Sequence, residues 1–223
     1  GIDGFWNDMN EPAIFYSEKH LKEVFEKLED YKKMNLDVNT FFEMQGMVGS
    51  ICNNPEDYAS FYHNYKGRHY RHDQVHNLFG YYMTRSASEA FERYVPEKRI
   101  LLFSRASYIG MHRFGGIWQG DNASWWSHLK MNVKMMPSLN MCGFLYTGAD
   151  AGGFGNDTTE DLMLRWLEFA VFTPLLRNHS ARGTRRQEVY RFSHVEKFAD
   201  VIGVRYQILP YIYSEYMKAA LQN

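Results

Sequence analysis

The chain has 223 residues, and 25 Lys plus Arg against 26 Asp plus Glu leave a formal net charge of −1 at pH 7. That balance argues against a nucleic-acid binder, which carries a clear basic excess, and a composition 45% hydrophobic and 23% charged argues against bulk disorder. The length admits one large domain or two small ones, no run of about eighteen apolar residues offers a membrane span, and 17% aromatic residues can both fill a core and build sugar-stacking walls.

In chain order, residues 2–8 (IDGFWND) are a short apolar run edged by Gly, the pattern of a buried parallel strand. Residues 17–33 place Leu21, Val24, Phe25 and Leu28 at i, i+3, i+4 and i+7 among charges, an amphipathic helix. Residues 35–55 lack a clear period and read as a loop or insertion. Residues 57–93 read as helical, more strongly from Asp73 to Arg93, with Pro96 as the stop. A strand is expected at 99–105 (RILLFSR), then a Gly-rich loop at 106–115 and a short strand at 116–121 (GIWQGD). Trp125 to Asn140 reads as a helix that Pro137 ends or kinks. Residues 143–150 (GFLYTGAD) form a strand running into a Gly-rich turn, Thr158 to Val171 a helix with Asp157 as N-cap, and 174–180 (PLLRNHS) a fifth strand. Ser193 to Gln207 is helical, and Pro210 starts a final helix.

Strands alternating with helices argue for an α/β architecture with a parallel sheet. Each apolar run ends in a charged or polar residue: Asp8, Arg105, Asp121, Asp150 and His179. In a (β/α)8 barrel the strand C-termini converge on the active face. Five strands do not close such a barrel. The expected fold is therefore a partial (β/α)8 TIM barrel of about five C-terminal strands with their helices. Residues 1–223 form one incomplete catalytic domain, and 13–95 include an insertion or long loop-helix region. The chain starts without Met, on a core strand close to chemistry, and so reads as a fragment.

Two constellations carry candidate chemistry. In Trp6-Asn7-Asp8-Met9-Asn10-Glu11-Pro12, Asp8 suits a fixed nucleophile and Trp6 a sugar wall, although a strand-end Asp fits a cap equally well. Glu11 reads as a hydrogen-bonding support for the Asp8 turn. Arg105 offers a fork of donors for a carboxylate or sugar hydroxyls. Asp121, beside Trp118, stands where a general acid is expected; a structural Arg105–Asp121 ion pair accounts for the same two residues. His179 follows the polar Arg177 and Asn178 at a strand end, which favours a site over a core histidine.

Other features are weaker. His63, His69, His72 and His76 lie close together, with 69/72 and 72/76 at helical spacings that suit zinc. No Cys is near and no H-E-x-x-H occurs, so no metal is assigned. Arg182, Arg185 and Arg186 read as a loop anchor. Gly152 and Gly153 lack a G-x-G-x-x-G context, so no dinucleotide or other cofactor is implied. Cys52 and Cys142 read as free thiols; with no signal segment visible, they favour a cytoplasmic setting.

Four motifs then occur in order: W-x-D-M-N-E-P at 6–12, R-x-S…W-x-G-D-N-x-S at 105–124, Y-T-G-A-D-x-x-G-F at 146–154 and R-N-H-S at 177–180. Together they resemble glycoside hydrolase family 31, the α-glucosidases and their relatives, from residue 1 to about 215. The resemblance implies a retaining mechanism. Asp8 matches the nucleophile that forms a covalent glycosyl-enzyme, and Asp121 matches the general acid/base. Arg105, Asp150 and His179 match residues that bind glucose hydroxyls, and Trp6, Met9, Trp118 and Phe154 match the walls. It also implies an exo-acting α-glucosidase whose partner is an α-linked oligosaccharide, with no nucleic acid or membrane. The family's β-domains and first three barrel strands are not in the sequence, so the resemblance implies that activity requires the N-terminal part of the same barrel. An α-xylosidase or another family activity is the alternative. A carbohydrate-binding remnant without catalysis is disfavoured because both carboxylates are present.

Overall fold

The structure is a computed structural model that describes residues 2–52 and 54–222. Gly1, Asn53 and Asn223, which belong to the 1–223 domain range and, for Asn53, to the segment read as a loop, lie outside the described residues. The elements are β1 (Gly4–Asn7), α1 (Glu18–Tyr31), α2 (Val38–Gly49), α3 (Pro55–Ser60), β2 (Tyr62–Tyr65), β3 (Arg68–Arg71), α4 (His72–Val75) and α5 (Phe79–Tyr94). They continue as β4 (Leu101–Ser104), β5 (Gly116–Gln119), α6 (Trp126–Met141), β6 (Thr147–Ala151), α7 (Glu160–Ala170), β7 (Arg177–Asn178) and α8 (Val195–Gln222).

β1, β4, β5, β6 and β7 pair side by side in chain order, every pair parallel. Helices join β1 to β4, β5 to β6 and β6 to β7, and a loop with one 3-10 turn at Met111–Arg113 joins β4 to β5, so the sheet is five successive strands of a (β/α) barrel. Parallel pairing puts all strand C-termini at one rim. Asp8 directly follows β1, Arg105 follows β4, Asp121 lies two residues past β5, Asp150 ends within β6 and His179 follows β7. The five expected strands therefore exist, each shorter than its apolar run.

Side chains alternate between the two faces of the sheet. On the helix side, Ala149 and Ala151 of β6 pack with Leu162, Met163, Trp166, Leu167 and Ala170 of α7 and Phe198 of α8. Ile117 of β5 packs with Tyr81 of α5, Met111 and Phe144. On the other face Phe103, Trp118 and Leu175 cluster, and Trp6 stacks on Phe103 with ring centroids 4.5 Å apart. Small residues keep the strands close: a Cβ on Gly148 would collide with the backbone carbonyl of Leu175.

The segment between β1 and β4 differs from its reading. Residues 38–49, read as loop, are helix α2, opened by a reciprocal Asp37–Thr40 capping box: Thr40 N donates to Asp37 Oδ1 at 2.8 Å and Asp37 N to Thr40 Oγ1 at 2.6 Å. Residues 62–71, read as helix, are an antiparallel hairpin. Lys66 (φ 52°) and Gly67 (φ 75°) both take positive φ, the conformation a two-residue hairpin turn needs.

Three further expectations are corrected. The N-cap of α7 is Thr159, whose hydroxyl accepts from Leu162 N at 3.2 Å. Asp157 instead accepts a hydrogen bond from the backbone N of Arg185. α6 continues through Pro137, and α8 is one helix through Pro210 instead of two. A proline forfeits the bond to the carbonyl four residues back. Those carbonyls belong to Val133 and Tyr206, both exposed, so water can serve them. α8 is also clasped to the end of α7: Arg205 donates to the carbonyls of Val171, Thr173 and Pro174 at 2.8, 2.6 and 2.9 Å. No helix among the described residues is long and apolar enough to cross a membrane.

Candidate active site

Arg105 is the centre of the rim. Its Nε and Nη2 donate to the two oxygens of Glu11 at 2.7 and 3.0 Å, a bidentate fork. Its remaining terminal nitrogen, Nη1, lies 3.2 Å from Asp8 Oδ1 and 3.3 Å from Asp121 Oδ2. Those two oxygens are thus no farther apart than the sum of the distances, 6.5 Å. Asp8 and Asp121 keep side-chain exposures of 53% and 57%, so both carboxylates remain open to a ligand. Burial raises the pKa of Glu11, but the hydrogen bonds and charge of Arg105 outweigh it and hold Glu11 below the ordinary carboxylate range. Glu11 is therefore held chiefly on Arg105, with a hydrogen bond to its own backbone as the support expected within the Asp8 turn. The Arg105–Asp121 ion pair that the sequence left open is present, as one arm of this larger cluster.

The loops carrying the carboxylates are fastened. Met9 and Asp121 both adopt positive φ, 54° and 56°; such backbone is costly for a non-glycine residue and persists where the surroundings enforce it. Buried Asn10 supplies the enforcement for the first loop. Its Nδ2 donates to Ser104 Oγ at 2.8 Å, and its Oδ1 accepts from Ala106 N at 3.0 Å, tying the Asp8 loop to the end of β4. For the second loop, the carbonyl of Asn122 accepts from Phe154 N and Gly155 N at 2.7 and 2.9 Å. Ser124 Oγ donates to the carbonyls of Gly155 and Asn156. Gln187 joins the third and fourth loops, its Nε2 donating to the carbonyls of Ala151 and Gly153 and to Asn178 Oδ1.

The apolar members gather on the inner face. Trp6 and Trp118 meet at 4.7 Å between centroids. Phe154 lies 5.3 Å from the ring of His179, and Met9 stands half exposed beside Asp8. Asp150 is fully buried; burial raises its pKa against the opposing hydrogen bond and charge of Arg177. A cavity of about 520 Å³ opens on this rim, lined by His179, Arg182, Arg186 and Glu188 among others. A larger one, about 730 Å³, lies among residues 100–102, 112–116 and the end of α8, away from all of these side chains. Every residue expected at the site is on one rim. The reading missed Asn10, Gln187 and the Glu11 fork. The only trace of them in the sequence was the position of Asn10 and Glu11 inside the first motif.

The histidines do not form the helical array their spacing implied. His69 is on β3, and His63 is on β2. His72 is buried and uses both ring nitrogens on neighbours, 2.8 Å to His63 and 3.2 Å to His76. No group of three or more His, Cys, Asp or Glu among the described residues is placed to hold a metal ion. Burial, with His63 and His76 alongside, lowers the pKa of His72 to about 4. An unfolded histidine titrates near 6.5. Between those values the unfolded chain binds the proton and the folded chain does not, so stability should fall as pH drops from about 6.5 to 4, then level. The loss attributable to His72 is about 3 kcal/mol at most. Urea midpoints measured across this range should show it, and His72→Gln should flatten the slope.

A family profile described as "Glycosyl hydrolases family 31 TIM-barrel domain" matches residues 1–215. The chain is 32% identical to "Alpha-glucosidase 2" of Bacillus thermoamyloliquefaciens over 98% of its own length and 24% of that protein's. It is 34% identical to a probable α-glucosidase of Oryza sativa subsp. japonica, over 96% and 22% respectively. Among solved structures, the glucosidase II α subunit bound to Tris aligns with a TM-score of 0.71 at 28% identity, covering 97% of this chain and 20% of that one. A family 31 dextranase of Flavobacterium johnsoniae in complex with glucose aligns with a TM-score of 0.72 at 25% identity, covering 98% and 24%. The chain thus spans about a quarter or less of the curated relatives named here. By sequence match and by fold, the chain belongs to the TIM-barrel domain of glycosyl hydrolase family 31.

Proposed function

We propose that this chain carries both catalytic carboxylates of a retaining, exo-acting α-glycosidase that releases terminal non-reducing α-linked glucose from oligosaccharides. Asp8 is the nucleophile and Asp121 the general acid/base. Arg105, Asp150 and His179 hold sugar hydroxyls, and Trp6, Met9, Trp118 and Phe154 wall the ring. The observation that supports this best is the sharing of Arg105 Nη1 by Asp8 and Asp121. Retention needs carboxyl groups about 5–5.5 Å apart, whereas inversion needs roughly 6.5–9.5 Å to fit a water. An upper bound of 6.5 Å favours the first. The matched relatives described as α-glucosidases support the sugar.

The mechanism follows from charge placement. Asp8, beside Arg105, attacks the anomeric carbon while Asp121, as the general acid, gives a proton to the leaving oxygen as its bond to that carbon breaks. Asp121 then takes a proton from water, which attacks the same face and frees Asp8. Glu11 holds Arg105 so that its positive charge stays between the two. β1 and β7 are sheet edges with an open side, and the active enzyme pairs them with further strands of its own barrel.

The test is proton NMR of hydrolysis by the full-length enzyme. α-Glucose should appear first, and only later mutarotate; β-glucose appearing first would overturn retention. With maltotriose labelled at its reducing end, exo-action releases unlabelled glucose and labelled maltose.

A further inference from the structure

Arg177 belongs neither to the carboxylate pair nor to the hydroxyl-binding set above, yet it touches three members of the site. Its guanidinium carbon lies 4.1 Å from the Trp6 ring centroid and 5.6 Å from that of Trp118. Its Nε donates to Asp150 Oδ1. The other oxygen of Asp150, Oδ2, is buried and has no hydrogen-bond partner among the described residues. These contacts join β1, β5, β6 and β7 through one side chain.

We propose that Arg177 is the positioning residue of the sugar site, fixing the two tryptophan walls and the rotamer of Asp150 at once; this rests on the function proposed above. The planar guanidinium can stack on indole faces and hydrogen-bond at its edge simultaneously, which an ammonium cannot do. With Oδ1 occupied, the Asp150 side chain has one orientation, and Oδ2 is the acceptor left for a substrate hydroxyl. A buried carboxylate without that cation would take up a proton instead. The charged and titratable groups facing Asp150 are Arg177 and His179 at β7 and Asp121 after β5. Arg177 is the one among them hydrogen-bonded to it.

The experiment uses the full-length enzyme with Arg177→Met and Arg177→Lys. A misplaced site costs about 10²-fold in rate, and Arg177→Met should lose about that much kcat/KM. The acid limb of its kcat/KM–pH profile should move to higher pH, because Asp150 loses its cation. Its near-UV circular dichroism should lose the part of the tryptophan band that Trp6 and Trp118 contribute, while the far-UV spectrum is retained. Arg177→Lys should restore the acid limb but not the band. A folded Arg177→Met with both the acid limb and the near-UV band of the wild type would overturn the proposal. Should Arg177→Met not fold, Arg177→Lys decides: a wild-type band and wild-type KM overturn it. A wild-type enzyme that cleaves no α-glycoside would instead sink the function proposed above. In that case a near-UV band unchanged in Arg177→Met still refutes the ordering of Trp6 and Trp118, and its loss still supports it.

Discussion

Asp8→Ala in the full-length enzyme is expected to abolish turnover of every α-glucoside, because in the proposed mechanism Asp8 is the group that forms the glycosyl-enzyme. Asp121→Ala should discriminate between substrates. An aryl glucoside with a good leaving group needs little protonation, so its first step survives. The second step then lacks a base for water, and the glycosyl-enzyme accumulates as a burst. Natural oligosaccharides, whose leaving group needs the proton, should slow by about 10²–10⁴-fold. Azide needs no base, so it should restore turnover of the aryl glucoside and give an α-glucosyl azide, since it attacks the intermediate on the face the aglycone left. Azide added to Asp8→Ala attacks the substrate directly, on the side Asp8 vacated, and should give the β-azide. Interchanged azide products would show that the two carboxylates have each other's roles. Both side chains are more than half exposed, so neither replacement should unfold the sheet, and matching thermal transitions would verify that.

Glu11→Gln should lower kcat/KM by about 10²-fold although Glu11 has no role in bond breaking. The change keeps the shape and removes the charge that clamps Arg105 at two points. Nη1 is then free to leave the gap between Asp8 and Asp121, and misplacement on this scale is worth about that factor. Arg105→Lys should show a similar loss, because a point-charge ammonium cannot serve three carboxylates through a fixed fork. The decisive measurement is the double variant. If Glu11 acts through Arg105, the two losses overlap and the double variant is little worse than Arg105→Lys alone. Strictly additive losses would mean that Glu11 works independently of Arg105.

The structural expectations for the rim hold without excluding the proposed roles. A strand-end Asp followed by a turn, and an Arg–Asp pair across neighbouring strands, both exist. Asp8 Oδ1 does accept from the next backbone N, that of Met9, at 2.8 Å. The functional reading gains from the number of carboxylates that converge: Glu11, Asp8 and Asp121 surround one guanidinium, more negative charge than that single ion pair requires.

What could be read from sequence were local facts. Apolar runs ending in Asp8, Arg105, Asp121, Asp150 and His179 are short-range patterns, and parallel pairing needs no further information to bring such ends to one rim. Helix α1 was legible because its apolar stripe lies within one segment. Two local signals were present but overridden. Lys66-Gly67 marked a turn, and Asp37 with Thr40 marked a helix start, yet helical spacing among the histidines and the aperiodicity of 35–55 masked them. Tertiary structure decided the rest, because the deciding contacts are long-range. Glu11 and Arg105 are 94 positions apart, and Arg177 meets Trp6 from the far side of the sheet. Thr159 displaces Asp157 as a cap because the loop after β7 brings Arg185 to Asp157. The α8 helix continues through Pro210 while Arg205 clasps it to the end of α7, which offsets the one hydrogen bond lost. In each case the winning partner is supplied by another strand or helix, and a reading confined to neighbours along the chain has no access to it.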